Sequence, residues 1–160
     1  MKRKNATKSA LQIAIEKAMC TSHTGKMNGM WSLSTSPLVN QHCLNKSKCD
    51  GLVRKHCFSI NMQKMRKELK EKLIRNTELL TKIVIPVADM PTLNIKYFRF
   101  ESFGDLNNEI QVQNYFNLCR KNKETTFALW TKKSMDNQKN NGHGYQKAVK
   151  LNRYLFKSGT

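Results

Sequence analysis

The sequence predicts an α/β fold. It consists of an N-terminal helix, a cysteine-containing loop, a long helix, a βαβ unit of a short, partial barrel-like parallel sheet, and a basic tail. Apolar residues recur at helical spacing over residues 9–19 and 62–80. Two aromatic-rich stretches, residues 95–103 and 125–130, flank a further helical stripe. Strand, helix and strand in this order are typical of parallel strands with a right-handed crossover.

The N-terminal helix is predicted from its apolar face, with Thr7 or Ser9 as the N-cap. The face consists of Leu11, Ala14, Ile15, Ala18 and Met19. Residues 21–40 are rich in Gly, Ser, Thr and Asn and lack a helical period, so we expect an ordered loop there. The 160 residues suffice for one core. We therefore predict a single domain over residues 1–133 and a tail over residues 134–160.

The long helix is predicted over residues 62–80, where one stripe is mostly apolar and the other face is charged. The stripe contains Met62, Met65, Leu69, Leu73, Asn76 and Leu80. The helix of the βαβ unit carries a second stripe, which contains Val112, Tyr115, Phe116 and Cys119. Asp105 or Asn107 is placed to cap it.

The carboxyl edge of the parallel sheet is the predicted place of a site, because the loops that follow parallel strands meet there. Glu101 and Asp105 follow the first strand of the unit, and Thr131 follows the second. The two carboxylates are candidates for an acid/base pair or for metal ligands. The alternative is structural, with Asp105 as a helix cap and Glu101 paired to a lysine.

The segment "HCLNKSKCDGLVRKHC" (42–57) contains the second candidate site. Three thiolates, Cys43, Cys49 and Cys57, can hold an iron-sulfur cluster with one open iron, or a zinc ion with His42 or His56 as the fourth ligand. The segment contains no C-x2-C pair, which compact metal sites usually have. Free structural thiols and a catalytic cysteine nucleophile therefore stay open as alternatives.

The net charge of +18, from 29 Lys and Arg against 11 Asp and Glu, predicts attraction to polyanions such as nucleic acid. No signal peptide is recognisable at the N-terminus, and the longest apolar run elsewhere, residues 83–88, is too short to span a bilayer. These features predict a soluble protein of the cytoplasm with no membrane partner. In a reducing compartment, five cysteines favour metal binding over a disulfide framework.

Five blocks of sequence resemble the phage and mobile-element proteins that carry the gene product 88-like domain. The blocks are "SHTGKMNGMWSLSTSPL" (22–38), "HCFS" (56–59), "LIRNTELLT" (73–81), "FRFESFGDLNNEIQVQNYFNLCRKN" (98–122) and "TFALWTKK" (126–133). The resemblance covers residues 10–133. It implies a phage or mobile-element origin, and it names no reaction.

The resemblance also bears on the cysteine segment. In the family this segment ends with a C-x2-C pair followed by an aromatic residue, which maps onto Arg54, Cys57 and Phe58 in this chain. One thiol of the pair is therefore replaced by Arg54. Such arrays ahead of β/α units are similar to the iron-sulfur sites of radical-SAM-like enzymes.

The resemblance further implies another strand after residue 133, whereas this chain turns basic and rich in Asn. Residues 134–160 are therefore interpreted as a disordered tail or as the out-of-frame end of a truncated gene. Three functional hypotheses follow: a protein with a cysteine-based metal site, a basic nucleic-acid-binding accessory protein without catalytic activity, and a decayed gene product with neither property.

Overall fold

The computed structural model describes residues 8–23, 25–49, 56–131 and 147–150. Within these ranges the chain forms five α-helices and a five-stranded sheet. The helices are α1 (Ala10–Ala18), α2 (Gln41–Cys49), α3 (Phe58–Met65), α4 (Lys67–Lys82) and α5 (Glu109–Lys121). The strands are β1 (Cys20–Thr21), β2 (Trp31–Leu33), β3 (Tyr97–Phe100), β4 (Thr126–Thr131) and β5 (Lys147–Lys150).

The strands lie side by side in the order in which they occur along the chain. β2, β3 and β4 are parallel, and the two outer strands, β1 and β5, pair antiparallel to their neighbours. α5 connects β3 to β4, so the predicted βαβ unit is confirmed. The sheet is therefore mixed, with a parallel centre of three strands.

α1 begins where the sequence predicts it. Ser9 is the N-cap, and its Oγ accepts a hydrogen bond from the backbone N–H of Gln12 at 3.1 Å. Ile15, Ala18 and Met19 on its apolar face are buried. This face packs against the sheet in the same core as α4 and α5.

Two predicted loops contain regular structure. Residues 21–40 contain β2, which pairs parallel to β3, as well as part of β1. A strand of three residues is too short to show an alternating pattern. The Gly, Ser, Thr and Asn content of the segment therefore led to the prediction of a loop. The first half of the predicted cysteine loop is helical, because Asn40 Oδ1 accepts from the backbone N–H groups of His42 and Cys43 and thereby starts α2.

The predicted long helix is interrupted at Arg66, whose backbone is extended at φ −124° and ψ 96°. α3 therefore ends at Met65, and α4 begins at Lys67. Met65, which was predicted to lie on the apolar stripe, is 73% exposed. The change of direction places α3 beside the chain that follows β3, and this contact is described below.

One face of the sheet packs against α1, α4 and α5 to form the hydrophobic core. Phe98 and Phe100 on β3 and Phe127 on β4 are fully buried on this face. The ring of Tyr115 on α5 stacks on Phe100 at 4.0 Å between centroids. Cys119 on the same helix is buried, as predicted, and burial raises the pKa of its thiol to about 12.

Buried asparagines hold the irregular chain between α4 and β3. Asn114 Nδ2 donates to the carbonyl oxygens of Leu80 and Ile83, and Asn117 Nδ2 donates to that of Ile85, each at 2.8 Å. These bonds satisfy the carbonyl oxygen of Leu80 in the last turn of α4 and those of Ile83 and Ile85, which follow the helix. They fix the position of the chain that leads from α4 to β3, the first strand of the βαβ unit.

β5 belongs to the segment that was predicted to be a basic tail. It pairs with β4 in the register Leu129 to Val149. The rest of residues 134–160 lies outside the described residues, as does Arg54. Among the described helices, none is both long and apolar enough to cross a bilayer.

Candidate functional site

The carboxyl ends of β2, β3 and β4 meet at one edge because the three strands are parallel. Thr35 follows β2, Glu101 and Asp105 follow β3, and Thr131 ends β4. All four residues are buried, and side-chain hydrogen bonds join them as two groups, Thr35 with Glu101 and Asp105 with Thr131. The hydroxyl of Thr35 also donates to the carbonyl oxygen of Asp105 at 3.4 Å and links the two groups. The structure therefore brings Glu101 and Asp105 together at the predicted edge. Their catalytic role stays a prediction.

Glu101 lies at the centre of the first group, and only 3% of it is exposed. Its Oε2 accepts from the backbone N–H of Thr35 at 3.2 Å, and the hydroxyl of Thr35 lies 3.1 Å from both carboxylate oxygens. Its Oε1 accepts from Gln111 Nε2 at 2.6 Å and from the hydroxyl of Tyr115. The structural alternative predicted a lysine as the partner of Glu101, and none of these partners is a lysine.

The backbone of Glu101 is in the left-handed region, at φ 55°. A residue with a side chain adopts this conformation at a cost of order 1–3 kcal/mol, so the surrounding contacts must stabilise it. The four hydrogen bonds to its carboxylate provide that stabilisation. The conformation turns the chain sharply at the end of β3.

Burial raises the pKa of the Glu101 carboxyl from 4.5 to about 7. The hydrogen bonds from Tyr115 and Thr35 lower it, whereas the charge of Asp105 raises it further. Burial, followed by the neighbouring charge of Glu101, raises the pKa of Tyr115 well above 10.0. Glu101 is thus a carboxyl group that can gain or lose a proton near neutral pH.

Asp105 belongs to the second group. Its Oδ1 accepts from the backbone N–H of Leu106 at 2.8 Å and from the hydroxyl of Thr131 at 2.5 Å. It does not cap α5, and neither does Asn107. The N-cap is Asn108, whose Oδ1 accepts from the backbone N–H of Gln111 at 3.0 Å. The predicted caps were wrong because α5 begins at Glu109, later than a cap at Asp105 or Asn107 would require.

Residues 101–106, called the 101–106 loop below, need a glycine at position 104. A Cβ atom there would lie 2.5 Å from the carbonyl oxygen of Thr35 and 2.6 Å from Glu101 Oε2. Real Cβ atoms do not approach other atoms so closely. Gly104 therefore lets the loop lie directly against the end of β2.

The start of α2, which carries Cys43, is bonded to the 101–106 loop. Asn40 caps this helix through its Oδ1, as described above. Its Nδ2 donates to the carbonyl oxygens of Asp105 at 2.8 Å and Leu106 at 3.2 Å. One fully buried side chain therefore fixes the position of the first turn of α2 relative to the carboxyl edge.

The start of α3, which follows Cys57, contacts the same loop. Cys57 occupies the N-cap position of this helix. The hydroxyl of Ser59 donates to the carbonyl oxygen of Phe103, and the ring of Phe58 stacks on that of Phe103 at 6.3 Å between centroids. Two of the predicted thiol ligands thus lie on helix starts that contact one short loop.

The metal site itself stays a prediction. Among the described side chains, no three His, Cys, Asp or Glu residues are grouped so that they could hold a metal ion. Cys43 and Cys57 are reduced thiols and partly buried, and His56 is exposed. The side chain of Cys49 and residues 50–55, which would complete the set, lie outside the described part of the chain.

The residues that surround Glu101 and Asp105 were largely missed by the sequence analysis. Thr35 and Asn40 lie in the segment interpreted as a loop, and Gln111 was not singled out. One signal could have identified Gln111, because it precedes Tyr115 by four residues and therefore shares its helix face. Nothing local in the sequence marks Thr35 or Asn40, since their partners lie more than sixty residues away.

Comparison with known protein families identifies a match over most of the chain. The family model described as Gene product 88 matches residues 1–149, and therefore extends beyond residue 133 into the predicted tail. No curated protein and no solved structure matches the chain.

Proposed function

Because the chain belongs to the gene product 88 family of phage gene products, we propose that it is a phage protein whose cysteine segment binds a metal centre at the carboxyl edge of the sheet. The supporting observation is that the starts of α2 and α3 both contact the 101–106 loop. Cys43 and Cys57 belong to these helix starts. The segment that joins them contains Cys49.

The donor set fits two kinds of metal centre. Cys43, Cys49 and Cys57 with His56 have the composition of a structural zinc site. The three thiolates alone match an iron-sulfur cluster with one open iron. When bound, such a cluster supplies electron transfer or an open coordination position, and a zinc ion supplies structural closure or a Lewis acid.

Two of the proposed thiol ligands lie at helix N-termini. Cys43 lies in the first turn of α2, and Cys57 occupies the N-cap position of α3, where its side chain makes no capping hydrogen bond. Both thiols are therefore placed at helix N-termini that contact the 101–106 loop.

Glu101 and Asp105 are the polar groups that we assign to this edge. With a pKa of about 7, Glu101 can hold or release a proton at neutral pH. Since it is almost fully buried, we expect it to act through the groups bonded to it, the hydroxyls of Thr35 and Tyr115. Its role is to position these hydroxyls and to hold or release a proton at its own carboxylate.

The test is the metal content of protein that is purified anaerobically, together with its visible absorption. We expect about one zinc or about four iron atoms per chain. Cys43→Ser and Cys57→Ser should each lower this ratio strongly. Cys20→Ser is the matched control, because Cys20 is a partly buried reduced thiol outside the segment. A ratio near zero, or one that Cys57→Ser leaves unchanged, contradicts the proposal.

Arg54→Cys provides a test in the opposite direction. The family resemblance places the missing thiol of a C-x2-C pair at this position. For an iron-sulfur cluster, which the three thiolates leave with one open iron, restoring this thiol should increase the metal retained during dialysis against a chelator, because a fourth protein ligand closes the site. A variant that loses metal as quickly as the parent protein would show that Arg54 does not replace a ligand.

Nucleic-acid binding is the second candidate function, and the net charge of +18 favours it. Its test is the dependence of affinity on salt, since each neutralised phosphate contributes to the slope. An affinity that does not change between low and physiological salt would reject it. For either function we place the protein in the host cytoplasm, a compartment that keeps thiols such as those of Cys43 and Cys57 reduced.

A further inference from the structure

We propose that the sheet face opposite the helices binds single-stranded nucleic acid, with a base stacked on Tyr97 and a phosphate bound by Arg99. This inference rests on the second candidate function and assigns it to a defined surface. It is independent of the metal centre, which would lie at the carboxyl edge.

Alternation along the strands separates the two faces of the sheet. On β3, Phe98 and Phe100 point into the core, so Tyr97 and Arg99 point to the other face. Thr126 on β4 pairs with Tyr97, and Ala128 pairs with Arg99, so these two residues share that face. Parallel sheets are usually covered on both faces. Here α1, α4 and α5 contribute to a core on the phenylalanine side.

The second face contains a cavity of about 380 Å³. Its lining consists of Met27, Met30, Tyr97, Phe98, Arg99, Thr126 and Ala128. This volume is within the range of about 300–1,000 Å³ that is usual for ligand pockets, and the lining is mainly apolar, as such pockets are. None of the described α-helices contributes a residue to it.

Arg99 contributes the polar group that selects a ligand. Its Nε is buried and has no hydrogen-bond partner among the residues that the structure describes. A buried donor on a charged group is costly unless an acceptor reaches it. The planar guanidinium is suited to bidentate bonds with phosphate or carboxylate oxygens. An anionic oxygen in the cavity would satisfy it.

Tyr97 contributes an aromatic surface beside this donor. It is 51% exposed, and Lys96 Nζ lies 5.4 Å from the centre of its ring. Exposed aromatic rings next to basic groups are the elements with which proteins bind unpaired bases. A duplex keeps its bases stacked on each other, so this arrangement favours a single strand.

Charge also favours a polyanion over other occupants. No carboxylate is present among the described lining residues of the cavity, and the whole chain carries +18. A second copy of the chain would bring the same positive charge and be repelled. A strand of nucleic acid matches both the net charge and the guanidinium.

The experiment is fluorescence anisotropy of a labelled single-stranded oligothymidylate of about twelve nucleotides, titrated with the full-length protein. Tyr97→Ala and Arg99→Gln should each weaken binding about tenfold, whereas Tyr97→Phe should retain most of the affinity. Lys67→Gln is the matched control, because Lys67 is 89% exposed on α4 and its loss removes one charge elsewhere. Circular dichroism and light scattering show whether each variant keeps its fold and its oligomeric state.

Three outcomes would overturn the assignment. If Tyr97→Ala and Arg99→Gln bind as tightly as Lys67→Gln, the strand binds elsewhere, and only this surface is rejected. If the wild-type protein binds no single strand at low salt, the second candidate function fails as well. If Tyr97→Ala changes the oligomeric state but leaves strand binding intact, the face belongs to a second copy of the chain.

Discussion

Thr35 and Glu101, which follow neighbouring parallel strands, are joined by a hydrogen bond of 3.2 Å from the backbone N–H of Thr35 to Glu101 Oε2, and by the hydroxyl of Thr35 at 3.1 Å. A buried carboxyl group thereby connects the ends of β2 and β3. Its charge state affects the same edge of the sheet against which the starts of α2 and α3 are held.

The first prediction concerns the pH dependence of stability. The pKa of Glu101 is raised from 4.5 to about 7 in the folded protein. Between these values the folded state holds a proton that the unfolded state has released, so the free energy of unfolding falls as the pH rises. This contribution is complete below about pH 4.5, and about 3 kcal/mol of it is lost once the pH has passed through about 7.

Urea unfolding between pH 5 and pH 8 measures this loss. Glu101→Gln should flatten the curve, because the amide does not titrate. The control is Glu109→Gln, which removes an exposed carboxylate from the first turn of α5 and should keep the slope of the wild-type protein. An equally steep curve for Glu101→Gln would show that another group is responsible.

Tyr115→Phe tests the hydrogen bond to Glu101 by itself. Loss of a buried hydroxyl that donates to Glu101 and accepts from Gln111 Nε2 should cost about 1–3 kcal/mol. Because this hydrogen bond lowers the pKa of Glu101, its removal should also shift the pH-dependent loss of stability to higher pH. Tyr97→Phe removes an exposed hydroxyl and serves as the control. A shift to lower pH would contradict the assigned bond.

Gly104→Ala should destabilise the carboxyl edge by steric overlap with Thr35 and Glu101. Overpacking of this kind costs about 1–3 kcal/mol. Gly29→Ala is the comparison, since Gly29 has a φ of 77° but nothing within 4 Å of an added Cβ atom. It should cost only the backbone strain of about 1 kcal/mol. Thermal unfolding of both variants gives the two costs, and a smaller loss for Gly104→Ala would refute the close approach.

Asn40→Ala tests the connection between α2 and the 101–106 loop. Removal of the cap should cost about 1–2 kcal/mol, and it should also weaken metal retention, because the turn that carries Cys43 is no longer fixed. Asn108→Ala removes the cap of α5 and should cost similar stability with metal retention unchanged. Equal metal retention in both variants would show that the Asn40 cap does not position a metal ligand.

The sequence was sufficient for those parts of the fold that depend on local patterns. The helical period predicted α1, with Ser9 as one of its two candidate caps, and the alternation of Phe98 and Phe100 with charged neighbours predicted β3. The order of elements then predicted the parallel pairing of β3 with β4. From this pairing followed the edge that holds Glu101 and Asp105.

The remaining features depend on contacts between distant residues. The break at Arg66 follows no local signal, since neither proline nor glycine is present there. Asn76 was predicted as part of an apolar stripe, but its Nδ2 donates to the carbonyl oxygens of Ala18 and Ser34. The hydrogen bonds of Thr35 and Asn40 likewise exist only once β2 and β3 are adjacent.

The most direct test of the central proposal is the ratio of metal to protein after anaerobic purification, measured for the wild-type chain beside Cys57→Ser and Cys20→Ser. A cysteine-based metal centre predicts a stoichiometric ratio in the wild-type protein and in Cys20→Ser, and a ratio near zero in Cys57→Ser. A wild-type ratio near zero, or equal ratios in all three proteins, would contradict a metal centre at the carboxyl edge.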